Sequence, residues 1–170
     1  MKKVIIFLFI VTIVLAIKNS SNTDKILIPT DAIRFRIIAN SNTIEDQETK
    51  MQIKTDLKPI IENILDESNN IEDTRLLINK NTNNIEEIIK KRTTNYQLNY
   101  GNNYFPEKTY KNVVYKEGNY ESLVITLGDG LGENWWCVLF PPLCLLEAQE
   151  EETESINYSF YIKDILDKYL

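Results

Sequence analysis

The spacing of apolar residues changes period near Arg92, and no other feature of the chain constrains its fold as strongly. Before that point Ile53, Leu57, Ile60, Ile61, Ile64 and Leu65, then Leu77, Ile78, Ile85, Ile88 and Ile89, recur at helical intervals. One face of an α-helix collects such positions. After it Tyr96, Leu98 and Tyr100 alternate with polar neighbours, and Lys111 to Tyr115 and Glu121 to Leu127 are rich in strand formers. Alternation puts one side chain in two on each face of a strand. Upstream, Ile33, Phe35 and Ile37 alternate with Arg34 and Arg36 in the same way. The order predicts an α+β domain: one N-terminal strand, two or three helices, then an antiparallel β-meander.

Local signals set the boundaries. Asn40-Ser41-Asn42-Thr43 is a run of helix-capping residues with Glu45 three positions after Asn42, which predicts a helix from about Ile44 to Asp66. Pro59 lies inside it and removes one backbone hydrogen bond. A second helical stretch covers Ile71 to Lys91, and the polar cluster Asn81 to Asn84 is expected to divide it. Gly118-Asn119 reads as a turn. The chain thus divides into an apolar leader (1–17), a linker (18–28), a domain (29–146), an acidic linker (147–155) and a C-terminal amphipathic segment (156–170).

The leader carries its own message. Met1-Lys2-Lys3 precedes Val4 to Ile17, apolar throughout except for Thr12. A run of about 14 residues is short for a membrane-spanning helix, which needs about 20, and suits a signal-peptide core. Export is the expectation, with the segment either removed or kept as a membrane tether. Outside the cytoplasm disulfides are permitted and nucleotide-dependent chemistry has no supply.

Charge and composition exclude several classes. Twenty-five acidic against 19 basic residues leave a net charge of −6, so no basic stripe offers counterion release from nucleic acid. Histidine is absent, which removes Ser-His-Asp and Cys-His catalysis and His-ligated metals. Gly128, Gly130 and Gly132 are superficially like a phosphate loop, but the spacing is GxGxG, no helix follows, and Asp129 and Glu133 would repel phosphate. Cys137 has no base to activate it, and Cys137 with Cys144 supplies only two metal ligands. A disulfide closing their loop and a pair of buried thiols both remain open. Neither a metal nor another cofactor is expected.

Acidic residues near loops, Glu45, Asp46, Asp129 and Glu133, leave room for an exported hydrolase using paired carboxylates. The plainer account has Glu45 and Asp46 in the first turn of a helix, with Asp46 paired to Lys50.

The stretch GENWWCVLFPPLC, Gly132 to Cys144, is the most unusual in the chain. Along a strand Trp135, Cys137 and Leu139 face one way and Trp136, Val138 and Phe140 the other. Both faces are apolar, as in a strand buried on both sides, or one face meets a partner through an anchoring tryptophan.

Two blocks then resemble the stage II sporulation protein R family: Ile33 to Asn42 (IRFRIIANSN) followed by Glu45-Asp46-Gln47, and Gly132 to Cys144. Phe105-Pro106 with Tyr110, and Gly118-x-Tyr120-Glu121-x-Leu123, add weaker support. The likeness spans about Pro29 to Leu146, with Lys116-Glu117 departing from the Pro-Ala common in the family. The resemblance implies a messenger and not an enzyme. Such a protein is exported from the forespore into the space between the forespore and mother-cell membranes. There it activates a membrane-embedded aspartic protease that processes the sigma-E precursor. The expected contact surface combines Trp135, Trp136, Phe140, Pro141 and Pro142 with Arg34 and Arg36, both expected to face solvent, and with Asn40 and Asn42 in the following loop.

Overall fold

The capping run starts a helix where it should, one residue later than the Asn42–Glu45 spacing suggests. In the computed structural model, which describes residues 26–110, 113–144 and 158–169, helix α1 spans Ile44–Glu67. Its N-cap is Thr43, whose hydroxyl accepts from the Asp46 N–H at 3.3 Å. Glu45 and Asp46 fill the first turn, where the helix dipole favours negative charge. Pro59 sits on the exposed side and the helix continues through it. The opposite face buries Ile53, Leu57, Ile61, Ile64 and Leu65.

Asn70 caps α2, Ile71–Lys90, by accepting from Asp73 N at 2.9 Å. The expected break at Asn81 to Asn84 does not occur. Asn81 and Thr82 donate their side chains back to the Leu77 and Ile78 carbonyls at 2.9 and 3.0 Å, a local bond compatible with a continuing helix. The stripe Ile78, Ile85, Ile89 stays buried across the cluster. Arg92 closes the α1–α2 pair with two bonds to Asp56, at 2.6 and 3.1 Å.

The strands are β1 Ile26–Leu27, β2 Ile33–Ile38, β3 Tyr96–Phe105, β4 Lys108–Tyr110, β5 Val113–Tyr115, β6 Gly118–Leu127 and β7 Asn134–Phe140. A final helix, α3, spans Tyr158–Tyr169. Gly118-Asn119 opens β6 and is not a turn; Lys116-Glu117 connects it to β5. Four strands form one sheet in the order β3-β6-β2-β7. β3 and β6 pair antiparallel, but β2 lies between β6 and β7, parallel to the former and antiparallel to the latter. The meander is interrupted and the sheet is mixed. β2 has Ile33, Phe35 and Ile37 buried on one face and Arg34 buried on the other, which its place between two neighbouring strands allows. The domain is α+β, as expected.

One sheet face carries the main core. Ile33, Phe35, Ile37, Leu123, Ile125, Leu127, Cys137 and Leu139 meet the apolar stripes of α1 and α2. Each such side chain contributes about 1.5–3 kcal/mol on burial. On the other face a small sheet, β1-β5-β4, and α3 cover one end. Ile28, Ala32, Tyr115, Val138, Leu143 and Ile162 form a second cluster there. Residues 26–28, read from sequence as linker, therefore belong to the domain: β1 pairs with β5 and Ile28 is buried. The C-terminal segment belongs to it as well, because Ile162 is buried and the Tyr169 ring meets that of Phe140 edge to face at 5.8 Å. The apolar leader lies outside the described residues, as do residues 18–25 of the linker and the acidic stretch 147–155. Among the described residues, no helix is long and apolar enough to cross a membrane.

Candidate partner-binding site

The strand pattern of β2 sends Ile33, Phe35 and Ile37 to the helices, so Arg34 and Arg36 must enter the opposite side. That side is not solvent at Arg34. The second sheet covers it, and Arg34 is fully buried, contrary to expectation. Its guanidinium carbon lies 3.4 Å from the Tyr120 ring centroid, 5.1 Å from Phe105, 5.7 Å from Trp136 and 5.9 Å from Tyr115. Aromatic faces attract a cation through their quadrupole, most strongly where water is excluded. The Lys116 carbonyl accepts from Arg34 Nη2 at 3.4 Å, while Nε and Nη1 have no hydrogen-bond partner among the described residues. Burial lowers the pKa from the usual arginine value, and Tyr120 and Tyr115 offset part of that shift.

Arg36 sits one step nearer the open end and is half-buried. Its guanidinium carbon stands 4.4 Å from the Phe105 centroid, its Nε lacks a partner, and burial lowers its pKa too. The two arginines therefore share the Phe105 ring. Trp136 is half-buried beside them, 4.5 Å from the Tyr115 ring and 5.2 Å from Lys108 Nζ. Arg36, Phe105, Pro106, Glu107, Lys108, Asn134 and Trp136 line a notch of about 70 Å³ where the two sheets meet. The alternation of β2 locates Arg34 and Arg36 on a common side, but nothing in the sequence reading makes Phe105, Lys108, Tyr115 and Tyr120 their neighbours. They lie on separate strands, and only the fold gathers them.

Trp135 faces the other way. Its ring meets Phe35 edge to face at 5.6 Å, and Lys54 Nζ is 5.1 Å from its centroid. It packs against the main core and is half-buried. Phe140, expected on the Trp136 side, also joins the main core, because a register shift between Ile33 and Arg34 pairs Ile33 with Phe140 and Arg34 with Val138. One extra residue in a strand reverses the faces beyond it. Pro141 follows through a cis peptide, and both Pro141 and Pro142 are buried. These three residues, like Arg34, present no exposed surface to a partner.

Cys137 and Cys144 are joined by a disulfide, with their Cα atoms 5.3 Å apart. This decides between the two alternatives left by the sequence. Closing an eight-residue loop is worth about 2.5 kcal/mol on the chain-entropy model. The bond ties the middle of β7 to the segment that follows its end.

Asn40 and Asn42 hold two loops together. Asn40 Oδ1 accepts from Asp129 N at 2.9 Å, and Asn42 Oδ1 accepts from Glu133 N at 2.6 Å. Leu131 and Gly132 N–H groups donate to the Asn40 and Ala39 carbonyls at 3.0 and 2.9 Å. Gly132 has to be glycine, because a Cβ there would lie 2.3 Å from the Ser41 carbonyl oxygen. The glycine run is thus shaped by a neighbouring backbone.

The expected Asp46–Lys50 pair does not form. Asp46 accepts from Ser41 Oγ at 2.5 Å and Asn40 Nδ2 at 3.0 Å. These bonds, that from Ser41 foremost, hold its pKa below the ordinary carboxylate value. Lys50 turns inward, donating to Gln47 Oε1 at 2.5 Å and to the Glu133 carbonyl at 3.1 Å. Glu45, Asp129 and Glu133 carry exposed side chains around these loops. Among the described residues no group of three or more His, Cys, Asp or Glu gathers to hold a metal.

The arrangement defines a class first: a disulfide-stapled α+β domain whose distinctive feature is a cationic, aromatic seam between its two sheets. The sequence then places the molecule within that class. Residues 29–150 match the model of the stage II sporulation protein R family, and the chain belongs to that family. It is 37% identical over 140 residues to the stage II sporulation protein R of Bacillus subtilis strain 168, covering 79% of this chain and 62% of that protein. The chain thus spans somewhat under two thirds of the length of this curated relative. No solved structure matches. The family is named for sporulation and not for an enzyme class.

Proposed function

We propose that this chain is an exported signalling protein of endospore formation. It activates a membrane-embedded aspartic protease, and that protease processes the sigma-E precursor. Membership of the stage II sporulation protein R family is the observation that carries the reading. Two features of the chain support its parts. Lys2-Lys3 followed by Val4 to Ile17 has the composition of an export signal. The half-buried Trp136, with Arg36 and Lys108 around it, offers an anchor of the kind that dominates protein interfaces.

An activator shifts its receptor only by binding the active state more tightly than the inactive one. The domain therefore docks on the extracytoplasmic side of the protease and favours its competent form. The space between the forespore and mother-cell membranes is where the two meet, and the leader either is removed there or tethers the domain to a membrane.

The test reconstitutes processing in a non-sporulating host that makes the membrane protease, the sigma-E precursor and this protein. Cleavage is compared for the wild type, Trp135→Ala, Trp136→Ala and a form lacking residues 2–17. The expected result is cleavage that requires the exported protein and is lost in a Trp136→Ala chain that still folds by circular dichroism. Cleavage indifferent to this protein would remove the messenger reading.

A further inference from the structure

We propose that the notch between the two sheets is a receptor for a single acidic side chain, presented by an extended segment of a partner protein. The inference rests on the docking reading above and gives its contact a chemistry. Two cationic side chains, Arg36 and Lys108, line the notch, and the fully buried Arg34 shares the Phe105 ring with Arg36, in a chain whose net charge is −6. Arg34 and Arg36 have their guanidinium carbons 5.1 and 4.4 Å from one ring centroid, that of Phe105. Lys108 Nζ lies over Trp136, which pairs across the strands with Arg36.

None of the three forms an ion pair with a carboxylate among the described residues. Glu107 stands at the rim of the notch but pairs with neither Arg36 nor Lys108. Desolvated like charges without a counter-ion oppose folding, and an arriving anion relieves that opposition. The buried, unpartnered Nε of Arg36 and the amide of Asn134 add polar groups at the same place.

Size and surroundings select the ligand. At about 70 Å³ the notch is several-fold smaller than a small-molecule pocket of about 300–1,000 Å³, which suits a carboxylate tip and not a nucleotide. Phe105, Pro106 and Trp136 supply apolar walls for the stem of the acid and the residues beside it. An anionic lipid surface is the poorer candidate, since it meets the whole acidic exterior while Arg34 is buried and Arg36 half-buried, leaving Lys108 as the one exposed cation of the three.

The test uses the full-length chain in an uncharged detergent. The probe is a short blocked peptide, Leu-Glu-Leu-Asp-Leu, with Leu-Gln-Leu-Asn-Leu as its neutral counterpart. The readout is the indole N–H resonance of Trp136, assigned by loss in Trp136→Phe. The expected result is a saturable shift with the acidic peptide alone, weakening as salt rises. Arg36→Gln and Lys108→Gln each bind about tenfold less tightly, the effect of one partly desolvated charge pair. Arg36→Lys recovers part of the affinity, and Lys80→Gln, on an exposed helical position, leaves it unchanged.

The same variants are then placed in the processing assay. Loss of cleavage in folded Arg36→Gln and Lys108→Gln chains supports the inference. The inference is overturned by equal response to the neutral peptide, by undiminished cleavage in both variants, or by binding of phosphatidylglycerol vesicles that the same substitutions abolish. Failure of the wild type to stimulate cleavage is a separate result and removes the docking reading itself.

Discussion

The Arg34 guanidinium carbon lies 3.4 Å from the centre of the Tyr120 ring, and the Lys116 carbonyl accepts from both side chains, from Arg34 Nη2 at 3.4 Å and Tyr120 Oη at 3.0 Å. A charged group at the centre of the molecule is thus held by aromatic rings and one backbone carbonyl. Withdrawing a cation from water costs several kcal/mol. Desolvated cation–π contacts return about 2 kcal/mol each. The two nearly cancel. Arg34→Met, which keeps the stem and removes the charge, should change unfolding free energy by no more than about 1 kcal/mol. Arg34→Ala should lose about 2–4 kcal/mol, because the packing goes as well. Urea unfolding of the pair checks this; equal losses in both would show that the charge itself stabilises the fold.

The disulfide gives a second prediction. Replacing Cys137 and Cys144 together by serine should lower stability by about 2.5 kcal/mol and leave the far-ultraviolet spectrum intact. Both cysteines lie in the helix-facing core, so any hydroxyl the serines leave without a partner there should add to the loss. Reduction of the wild type should move its urea midpoint toward that of the double variant.

Gly128 and Asn40 should behave as a coupled pair. Gly128 has φ +54°, and a Cβ added there would meet Asn40 Oδ1 at 2.1 Å. Gly128→Ala should cost about 1–3 kcal/mol, combining left-handed strain with that clash. In an Asn40→Gly background only the strain, about 1–2 kcal/mol, should remain. A double-mutant cycle in urea measures the difference, and additive effects would mean that the loop moves aside.

Glu121 should leave a signature in acid. It accepts from Arg75 Nη2 at 2.7 Å and from Tyr100 Oη at 2.5 Å. The Arg75 bond, first among its causes, holds its pKa below the ordinary carboxylate value, while burial, and after it the bond to Glu121, pushes Tyr100 upward. A depressed folded pKa means stability fully present above the unfolded value, about 4.3, and lost as pH falls through the folded value. Both side chains are about a third exposed, so the contribution is about 1 kcal/mol or less. Glu121→Gln should be destabilised by that amount at pH 7 and should converge with the wild type in strong acid. A constant difference across the range would assign the loss to packing.

Periodicity alone determined the elements of this protein. Helical spacing in Ile53 to Leu65 and alternation in Ile33 to Ile37 are local consequences of backbone geometry, so the helices, the N-terminal strand and the α+β class were legible before any contact was known. Short-range chemistry located the helix start to within one residue. What tertiary structure decided depends on residues far apart in the chain. β2 sits inside the sheet because Val138 and Leu123 arrive on either side of it, which no local pattern encodes. Arg34 reads as solvent-facing because alternation reports only opposite faces, never what covers them; the second sheet and its aromatics make it interior. A single register shift sends Phe140 to the helices, and shifts of this kind have no sequence period. The notch at Arg36, Lys108 and Trp136 exists for the same reason. Three strands carry its residues, and burial and electrostatics depend on distance in space, which sequence separation does not report.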